Sequence, residues 1–221
     1  MNDTDWDYLL PLLQEALFDT GYMVSISLAI AAVVGLALGI GLYVTRRGGL
    51  YGNRPVNAVE NGVINLVRPI PFVIFVAALG PLTVLVVGSR IGREAAILPM
   101  AIMASVAFAR LVEQNLVALD PGVVEAARAM GASRWRIVWS VLVPETLGPL
   151  ILAFTFLVVA VIDMSAVVGI IGAGGLGDFA IRHGYQRFNW TVAWVTVALI
   201  VVLVQVVQLL GNLLARKALR R

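Results

Sequence analysis

The stretch EAARAMGASRWRIVWSVLVP, residues 125–144, decides how the chain is organised. It is a polar segment between two halves that are apolar enough to lie in a membrane. Asp120 and Pro121 precede it and are typical of a helix start, because aspartate can cap the first turn and proline there loses no hydrogen bond. Gly131 predicts the end of this helix, since glycine reaches positive φ at little cost.

A second short helix is predicted after the first. Ser133 can cap a helix from Arg134 to about Leu142, and Pro144 predicts its end. Residues 119–146 are therefore expected to form two short helices joined by an elbow at residues 131–133. These signals leave two interpretations open.

In the first interpretation the elbow is a peg that fits a groove on a partner protein. Its compact surface would come from Ala126, Ala127, Ala129 and Met130, with Glu125 and Arg134 as charged contacts. In the second, the two helices only link membrane spans, and Trp135 and Trp139 hold them at the lipid surface.

The composition indicates an integral membrane protein. Of 221 residues, 60% are hydrophobic and 13% charged, and the mean hydropathy is +0.93, outside the usage of soluble proteins. The absence of cysteine excludes disulfides and thiolate metal sites, and one histidine, His183, leaves little for a metal cluster. The basic residues lie at the ends of apolar segments, which favours a role in membrane topology over nucleic-acid binding.

The apolar segments predict an all-α protein with five membrane spans in a single domain, residues 21–221. The first, Gly21–Val44, has 24 residues, about 36 Å as a helix and enough to cross about 30 Å of hydrocarbon. The five predicted spans are residues 21–44, 56–78, 95–118, 147–171 and 190–214. Residues 81–93 are predicted to form a turn and residues 172–189 a glycine-rich polar loop.

Residues 1–20 form an acidic segment without Lys or Arg, so no signal peptide is predicted. The spacing of Leu9, Leu13 and Leu17 predicts a short amphipathic helix at the interface before the first span, and a frayed tail is the alternative. In the first span, Ala31, Gly35 and Gly39 form a stripe of small residues that predicts close packing of another helix.

Positive charge predicts the orientation of the chain. Eleven Lys and Arg residues fall on the side of the C-terminus and four on the other, which places the C-terminus and the elbow in the cytoplasm and the N-terminus outside. The eleven are Arg46, Arg47, Arg54, Arg110, Arg128, Arg134, Arg136, Arg216, Lys217, Arg220 and Arg221; the four are Arg90, Arg93, Arg182 and Arg187.

Polar residues inside the spans are candidates for a transport pathway. Pro69 and Pro71 predict a kink or break in the second span beside Arg68, because each proline removes a backbone donor. Asp163, with Met164 and Ser165 after it, lies in the fourth span, where a charge costs about 2.5 to 3.5 kcal/mol. We expect Asp163 and Arg68 to pair or to line one aqueous pathway; an ion pair that only orders the broken span is the alternative.

Glycines mark the external loops. Gly172, Gly174 and Gly177 match G-x-G-x-x-G, but a membrane span precedes them in place of a strand, so a nucleotide site is not expected. We predict a tight turn where an external protein docks, or a passive helix cap. The predicted docking residues are Gly88, Arg90, Gly174, Gly175, Gly177 and Arg182. His183 is expected to be a solvated loop residue, with a proton-linked switch as the alternative.

The long spacing of the central stretch resembles a known motif. Glu125-Ala126-Ala127, three residues, Gly131, nine residues, Val141, one residue and Val143-Pro144 is similar to the E-A-A-x3-G-x9-I-x-L-P motif of permease subunits of ABC importers. Val141 and Val143 depart from the motif but remain apolar. Further stretches resemble the methionine-uptake branch: residues 42–46, 68–72, 87–92, 109–113, 127–132 and 172–177.

The resemblance implies a homodimer in the bilayer of the cell inner membrane. Its partners would be two cytoplasmic ATPase subunits, which carry ATP and Mg²⁺, and an external substrate-binding lipoprotein. The chain would bind no cofactor, do no bond chemistry and import L- or D-methionine. The ATPase contacts would be Glu125, Ala126, Ala127, Met130, Gly131, Ala132, Ser133 and Arg134.

Three other functions stay open at this point. One is an ABC permease for another small polar solute, since an acid at position 163 is not expected from the methionine branch. The others are a stand-alone secondary transporter that uses Asp163, and a membrane-embedded hydrolase built on Asp163, Ser165 and His183. The hydrolase lacks a recognisable nucleophile motif.

Overall fold

A computed structural model describes residues 5–219, and within that range every regular element is helical. Asp3 of the acidic segment, and Arg220 and Arg221 of the positive count, lie outside the described residues. The helices are α1 Trp6–Thr45, α2 Arg54–Val67, α3 Phe72–Ala78, α4 Gly80–Val87, α5 Arg93–Val117, α6 Pro121–Ala129, α7 Arg134–Ile137, α8 Val143–Val168, α9 Gly175–Phe179 and α10 Trp190–Leu219. Segments Val138–Leu142, Gly169–Ala173 and Ala180–Tyr185 are π-helical.

Four helical runs of the described chain are long and apolar enough to cross a membrane, and α2 with α3 makes a fifth if the two count as one broken span. The four are Trp6–Thr45, Arg93–Val117, Arg134–Ala173 and Trp190–Leu219. The prediction of an all-α membrane protein is therefore confirmed. The predicted break in the second span is confirmed too, because α2 ends at Val67 and α3 begins at Phe72, on either side of the two prolines.

The chain divides into two compact units. One unit combines Ala31–Pro69, Ser105–Leu157 and Gln208–Arg221. Within it, glycines of α1 contact α5: a Cβ at Gly35 would lie 2.8 Å from the carbonyl oxygen of Ser105, and one at Gly39 would lie 2.5 Å from the Cβ of Val112. Only glycine fits such spacing, so the predicted close packing along this stripe is confirmed.

The other unit combines the chain up to Ile30 with Ile70–Ala104 and Val158–Val207. In it, Leu9 and Ala16 of α1 are buried against Leu176, Phe179 and Val192. The predicted separate amphipathic helix before the first span is therefore wrong. α1 runs without interruption from Trp6 to Thr45, because its first turns pack on protein and no residue near position 20 forces the backbone out of the helix.

Two predicted loops are largely helical. The turn expected at residues 81–93 contains α4, since Pro81 lies in the first turn, where a missing N–H breaks no hydrogen bond. The loop expected at residues 172–189 contains α9 and the π-helical segment Ala180–Tyr185. Within residues 172–189, the irregular backbone is confined to a short turn around Gly172 and Gly174 and to the residues before Trp190.

Candidate functional site

The elbow begins with a capped helix. The side chain of Asp120 accepts a hydrogen bond from the Gly122 N–H at 2.8 Å, and α6 follows from Pro121 to Ala129. Gly131 has a φ of +76°, and the Ala132 N–H donates to the Ala127 carbonyl at 3.1 Å. The predicted cap and the predicted glycine stop are both confirmed.

The second helix of the elbow continues directly into the fourth span. The side chain of Ser133 accepts the Arg136 N–H at 3.4 Å, as predicted, and α7 begins at Arg134. The expected end at Pro144 is wrong, because the π-helical segment Val138–Leu142 connects α7 with α8. Pro144 lies in the first turn of α8, where proline costs little, and the Thr146 hydroxyl donates to the Leu142 carbonyl at 2.7 Å.

The tip of the elbow is a small exposed surface. Met130 is 82% exposed, the highest exposure given for a large hydrophobic side chain of the described chain, and Ala126, Gly131 and Ser133 are also exposed. Ala132 is half-buried, and Ala127 is only 3% exposed because it packs inside its own chain. The tip is thus apolar at Met130 and is surrounded by small side chains.

The charged residues of the elbow face the turn between α1 and α2. Glu125 and Arg128 line a cavity of about 120 Å³ together with Arg46 and residues of that turn. The guanidinium carbon of Arg134 lies 5.5 Å from the centre of the Tyr51 ring. Both Glu125 and Arg134 are exposed, so each reaches the surface beside this turn.

The predicted pathway residues fall in different units. Arg68 and Pro69 belong to one unit, and Pro71, Asp163, Met164 and Ser165 belong to the other. Arg68 and Asp163 are exposed, and in the described part of the chain neither forms an ion pair within its own unit. Their pairing stays a prediction.

Ser165 has a structural partner. Its buried hydroxyl donates to the Ile162 carbonyl, one turn back on α8, at 2.6 Å. His183 is half-buried against the Phe179 ring, with 5.0 Å between ring centres, so it is not the solvated residue expected. Its Nδ1 atom is buried and has no hydrogen-bond partner among residues 5–219. Desolvation, together with the charges of Arg187 and Arg182, lowers the pKa of His183.

The predicted docking residues differ in exposure. Gly88 ends α4 with a φ of +84°, and Arg90 is exposed. Gly174 is half-buried, whereas Gly175 and Gly177 are buried. These two glycines can shape a docking surface but offer little contact area of their own. Arg182 is exposed and forms an ion pair with Asp178 at 2.6 Å.

Two groups of polar contacts were not expected from the sequence. Asp19 of α1 pairs with Arg93 at 2.8 Å, and the Thr20 hydroxyl accepts the Leu176 N–H at 2.9 Å. The second group is centred on Glu60, whose carboxylate accepts the Thr45 hydroxyl at 3.3 Å. Glu60 lies inside the predicted second span, so the rule that singled out Asp163 could also have found it.

The all-helical fold, the membrane-length helices and the exposed elbow define a membrane-embedded subunit with a short ordered segment between α5 and α8. A family profile described as "Binding-protein-dependent transport system inner membrane component" matches residues 35–220. The chain belongs to this family.

Relatives and solved structures agree with this assignment. The chain is 41% identical over 206 residues to the probable D-methionine transport system permease protein MetI of Vibrio cholerae, covering 93% of this chain and 92% of the relative. It is 40% identical to the methionine import system permease protein MetP of Bacillus subtilis, covering 78% of each chain. A solved structure of the MetNI methionine ABC transporter in inward-facing conformations matches with a TM-score of 0.93, 36% identity and 99% coverage of both chains.

Proposed function

We propose that this chain is the permease subunit of an ATP-driven importer and forms the membrane pathway for L- or D-methionine. The observation that carries the proposal is the 41% identity to a probable D-methionine permease over 93% of the chain. The hydrolase alternative finds no support in the site geometry, since the Ser165 hydroxyl is directed to a backbone carbonyl.

In this proposal two copies of the chain assemble with two ATPase subunits, which bind ATP and Mg²⁺. The elbow is the surface that docks into each ATPase. Its contact residues are Glu125, Ala126, Met130, Gly131, Ser133 and Arg134. Ala127 and Ala132 are less exposed and pack behind these residues. Met130 supports this assignment because an apolar side chain this exposed at a tip of small residues suits a groove on a partner.

The chain has a continuous helical connection for the movement. The helical run from Arg134 to Ala173 continues from the elbow through the fourth span, with Pro144 in a position that does not break it. When ATP draws the two ATPases together, a displacement of the elbow is therefore passed directly to α8. A flexible loop at this place would absorb the displacement.

The pathway and the external surface complete the proposal. Arg68, the Pro69–Pro71 break, Asp163, Met164 and Ser165 lie along the pathway, because breaks and charges in spans are tolerated where they face a cavity. The N-terminus is outside the inner membrane and the C-terminus in the cytoplasm. A substrate-binding lipoprotein docks outside, on Gly88, Arg90, Gly174 and Arg182, with Gly175 and Gly177 shaping the turn.

The test combines co-purification with uptake. A tagged chain is co-expressed with its ATPase and its substrate-binding lipoprotein, and uptake of labelled L- and D-methionine is measured in cells that lack other methionine importers. We expect the ATPase to co-purify. Met130→Glu should reduce both its yield and methionine uptake at least about tenfold, because a charge would be buried in the interface without a partner. Met130→Leu is the matched control and should retain both.

The outcomes test the class of transporter and the identity of its substrate separately. If no ATPase co-purifies with the wild-type chain, the importer proposal is wrong. If the ATPase co-purifies but neither enantiomer of methionine is taken up, the chain is a permease for another solute.

A further inference from the structure

The elbow contacts the turn between α1 and α2, residues 46–53. Val124, Glu125 and Arg128 of α6 line the 120 Å³ cavity opposite Arg46 and Leu50 of the turn. At the other end of the elbow, the Arg134 guanidinium lies over the Tyr51 ring at 5.5 Å, inside the range of about 6 Å for a cation–π contact. Both helices of the elbow therefore border the same turn.

The turn is fixed to the end of α1 by backbone hydrogen bonds. The Gly49 N–H donates to the Arg46 carbonyl at 2.8 Å, and the Tyr51 N–H donates to the Val44 carbonyl at 2.9 Å. The Asn53 N–H donates to the Thr45 carbonyl at 2.9 Å. A movement of Tyr51 is thus passed to the end of α1 through an ordered turn.

Side chains then fix α2 to α1. The Asn53 side chain caps α2 by accepting the Val56 N–H at 3.3 Å. The Asn57 amide donates to the Leu42 carbonyl at 2.9 Å and to the Thr45 hydroxyl oxygen at 3.1 Å. The Thr45 hydroxyl donates to the Gly41 carbonyl of its own helix at 2.7 Å and also lies 3.3 Å from the Glu60 carboxylate, which shares this proton. Thr45 thereby connects two residues of α2 that are almost one helical turn apart.

The far end of α2 is fixed to α5. The Asn65 side-chain oxygen accepts a hydrogen bond from Arg110 at 2.7 Å, and Arg110 forms an ion pair with Glu113. Ile64 of α2 also packs with Leu42, Val106 and Ala109 in one buried cluster. α2 is therefore held at both ends within its unit, and its last residue, Val67, directly precedes the break at Arg68–Pro71.

From this chain of contacts we infer that the turn 46–53 and α2 receive the movement of the elbow and carry it to the Arg68–Pro71 break, with Tyr51 and Thr45 as positioning residues. In this route, movement of Arg134 is passed to Tyr51 of the same chain. The inference rests on the proposed function, because it names a second route, beside the direct one into α8, by which ATPase movement reaches the pathway. Both routes begin at the same elbow.

A double-mutant cycle on Tyr51 and Arg134 tests the first step. The assembled complex is reconstituted in proteoliposomes, and methionine transported per ATP hydrolysed is measured. We expect Tyr51→Leu and Arg134→Gln each to reduce this ratio about two- to fivefold, which corresponds to one exposed cation–π contact. The double variant should be no worse than either single variant, and Tyr51→Phe, which keeps the ring, should match wild type.

Arg136→Gln is the control for the loss of an exposed arginine on the elbow and should not change the ratio. Single effects that multiply in the double variant would overturn the inference, because Arg134 would then act independently of Tyr51. A ratio lowered by Arg134→Gln but unchanged by Tyr51→Leu would overturn it too, since Arg134 would then act through its ATPase contact alone.

The second step is tested at Thr45. Thr45→Val keeps the side-chain volume but removes the hydroxyl that connects to Glu60 and Asn57. Thr196→Val is the matched control, because the Thr196 hydroxyl is buried and donates to Val192 in its own helix at 2.9 Å. We expect Thr45→Val to reduce transport per ATP at least about twofold and Thr196→Val to leave it unchanged.

Equal ratios in the two threonine variants would overturn the role of α2. Failure of this inference is distinguishable from failure of the proposed function. If Met130→Glu abolishes ATPase binding while Tyr51→Leu and Thr45→Val transport normally, the importer stands and only the α2 route is wrong.

Discussion

The elbow and the glycine turn, residues 172–177, both rely on glycines with positive φ, but they use them differently. Gly131 has a φ of +76°, and a Cβ placed there would meet nothing within 4 Å. Gly175 has a φ of +85°, and a Cβ there would lie 2.8 Å from the Thr20 hydroxyl oxygen. At Gly177 a Cβ would lie 2.4 Å from the Cα of Ala166. The elbow needs glycine for conformation, and the glycine turn also needs it for space.

The difference follows from what holds each turn in place. Local caps at Asp120 and Ser133 order the elbow, which leaves its tip free for a partner. Tertiary contacts order the glycine turn: the Gly92 N–H donates to the Gly172 carbonyl at 3.1 Å, and the Thr20 hydroxyl accepts the Leu176 N–H. A turn held by local caps can be exposed and moved as a unit. A turn held by packing is part of the core of its unit.

The strongest test of this comparison is Gly177→Ala. The added methyl group would collide with the backbone of Ala166, which cannot move aside as a flexible side chain can. We expect a loss of about 3 kcal/mol of unfolding free energy, the upper end for overpacked sites, seen as a lower melting temperature of the detergent-purified chain. Gly62→Ala is the control, because Gly62 is exposed with open space around it. An unchanged melting temperature for Gly177→Ala would mean that the turn is not held by packing.

A smaller effect is expected at the elbow. Gly131→Ala adds no collision but places an L-residue at φ +76°, which costs about 1 to 2 kcal/mol. Asparagine tolerates this conformation, so Gly131→Asn should be more stable than Gly131→Ala in thermal unfolding. If Gly131→Ala destabilised the chain as much as Gly177→Ala, the two turns would not differ in the way proposed.

The smallest effect is a pH-dependent loss of stability that arises in the segment after the glycine turn. Burial and the neighbouring Arg187 and Arg182 charges lower the pKa of His183, with partial opposition from Asp178. The unfolded chain therefore binds a proton more readily than the folded chain as the pH falls below about 6.5, and stability present above that pH is lost. We expect the melting temperature to fall between about pH 7.5 and about pH 5 more in wild type than in His183→Gln. Equal falls would remove His183 as a cause.

The sequence predicted those parts of the fold that depend on near neighbours. The Asp120 and Ser133 caps, the Gly131 stop and the break at Pro69 and Pro71 each involve residues within a few positions of one another. The membrane spans followed from continuous apolar runs. One error has the opposite origin: α1 continues past residue 20 because Leu9 and Ala16 pack on residues more than 150 positions away.

The features of the candidate site also divide into those predicted from neighbouring residues and those seen only in the structure. A compact surface that includes Met130 was predicted from the helix caps and the Gly131 stop as one of two interpretations, whereas the contact of Arg134 with Tyr51 was not predicted, because it joins residues that no local pattern relates. Glu60 could have been found as a charge inside a predicted span, but its contact with Thr45, and that of Thr45 with Asn57, could not. The positions of Asp163 and Arg68 along one pathway remain a prediction.

By itself, the sequence determined that this protein lies in a membrane, where the two helices of the elbow begin, and that this elbow with its glycine stop separates α5 from α8. Apolar run length, capping side chains and proline act within a few residues, so they can be identified in the chain itself. Only the tertiary structure decided which glycines are required for space and which residues tie α2 to its neighbours. These depend on the separation of atoms on different helices, such as Asp19 and Arg93, 74 positions apart, which the order of residues does not specify.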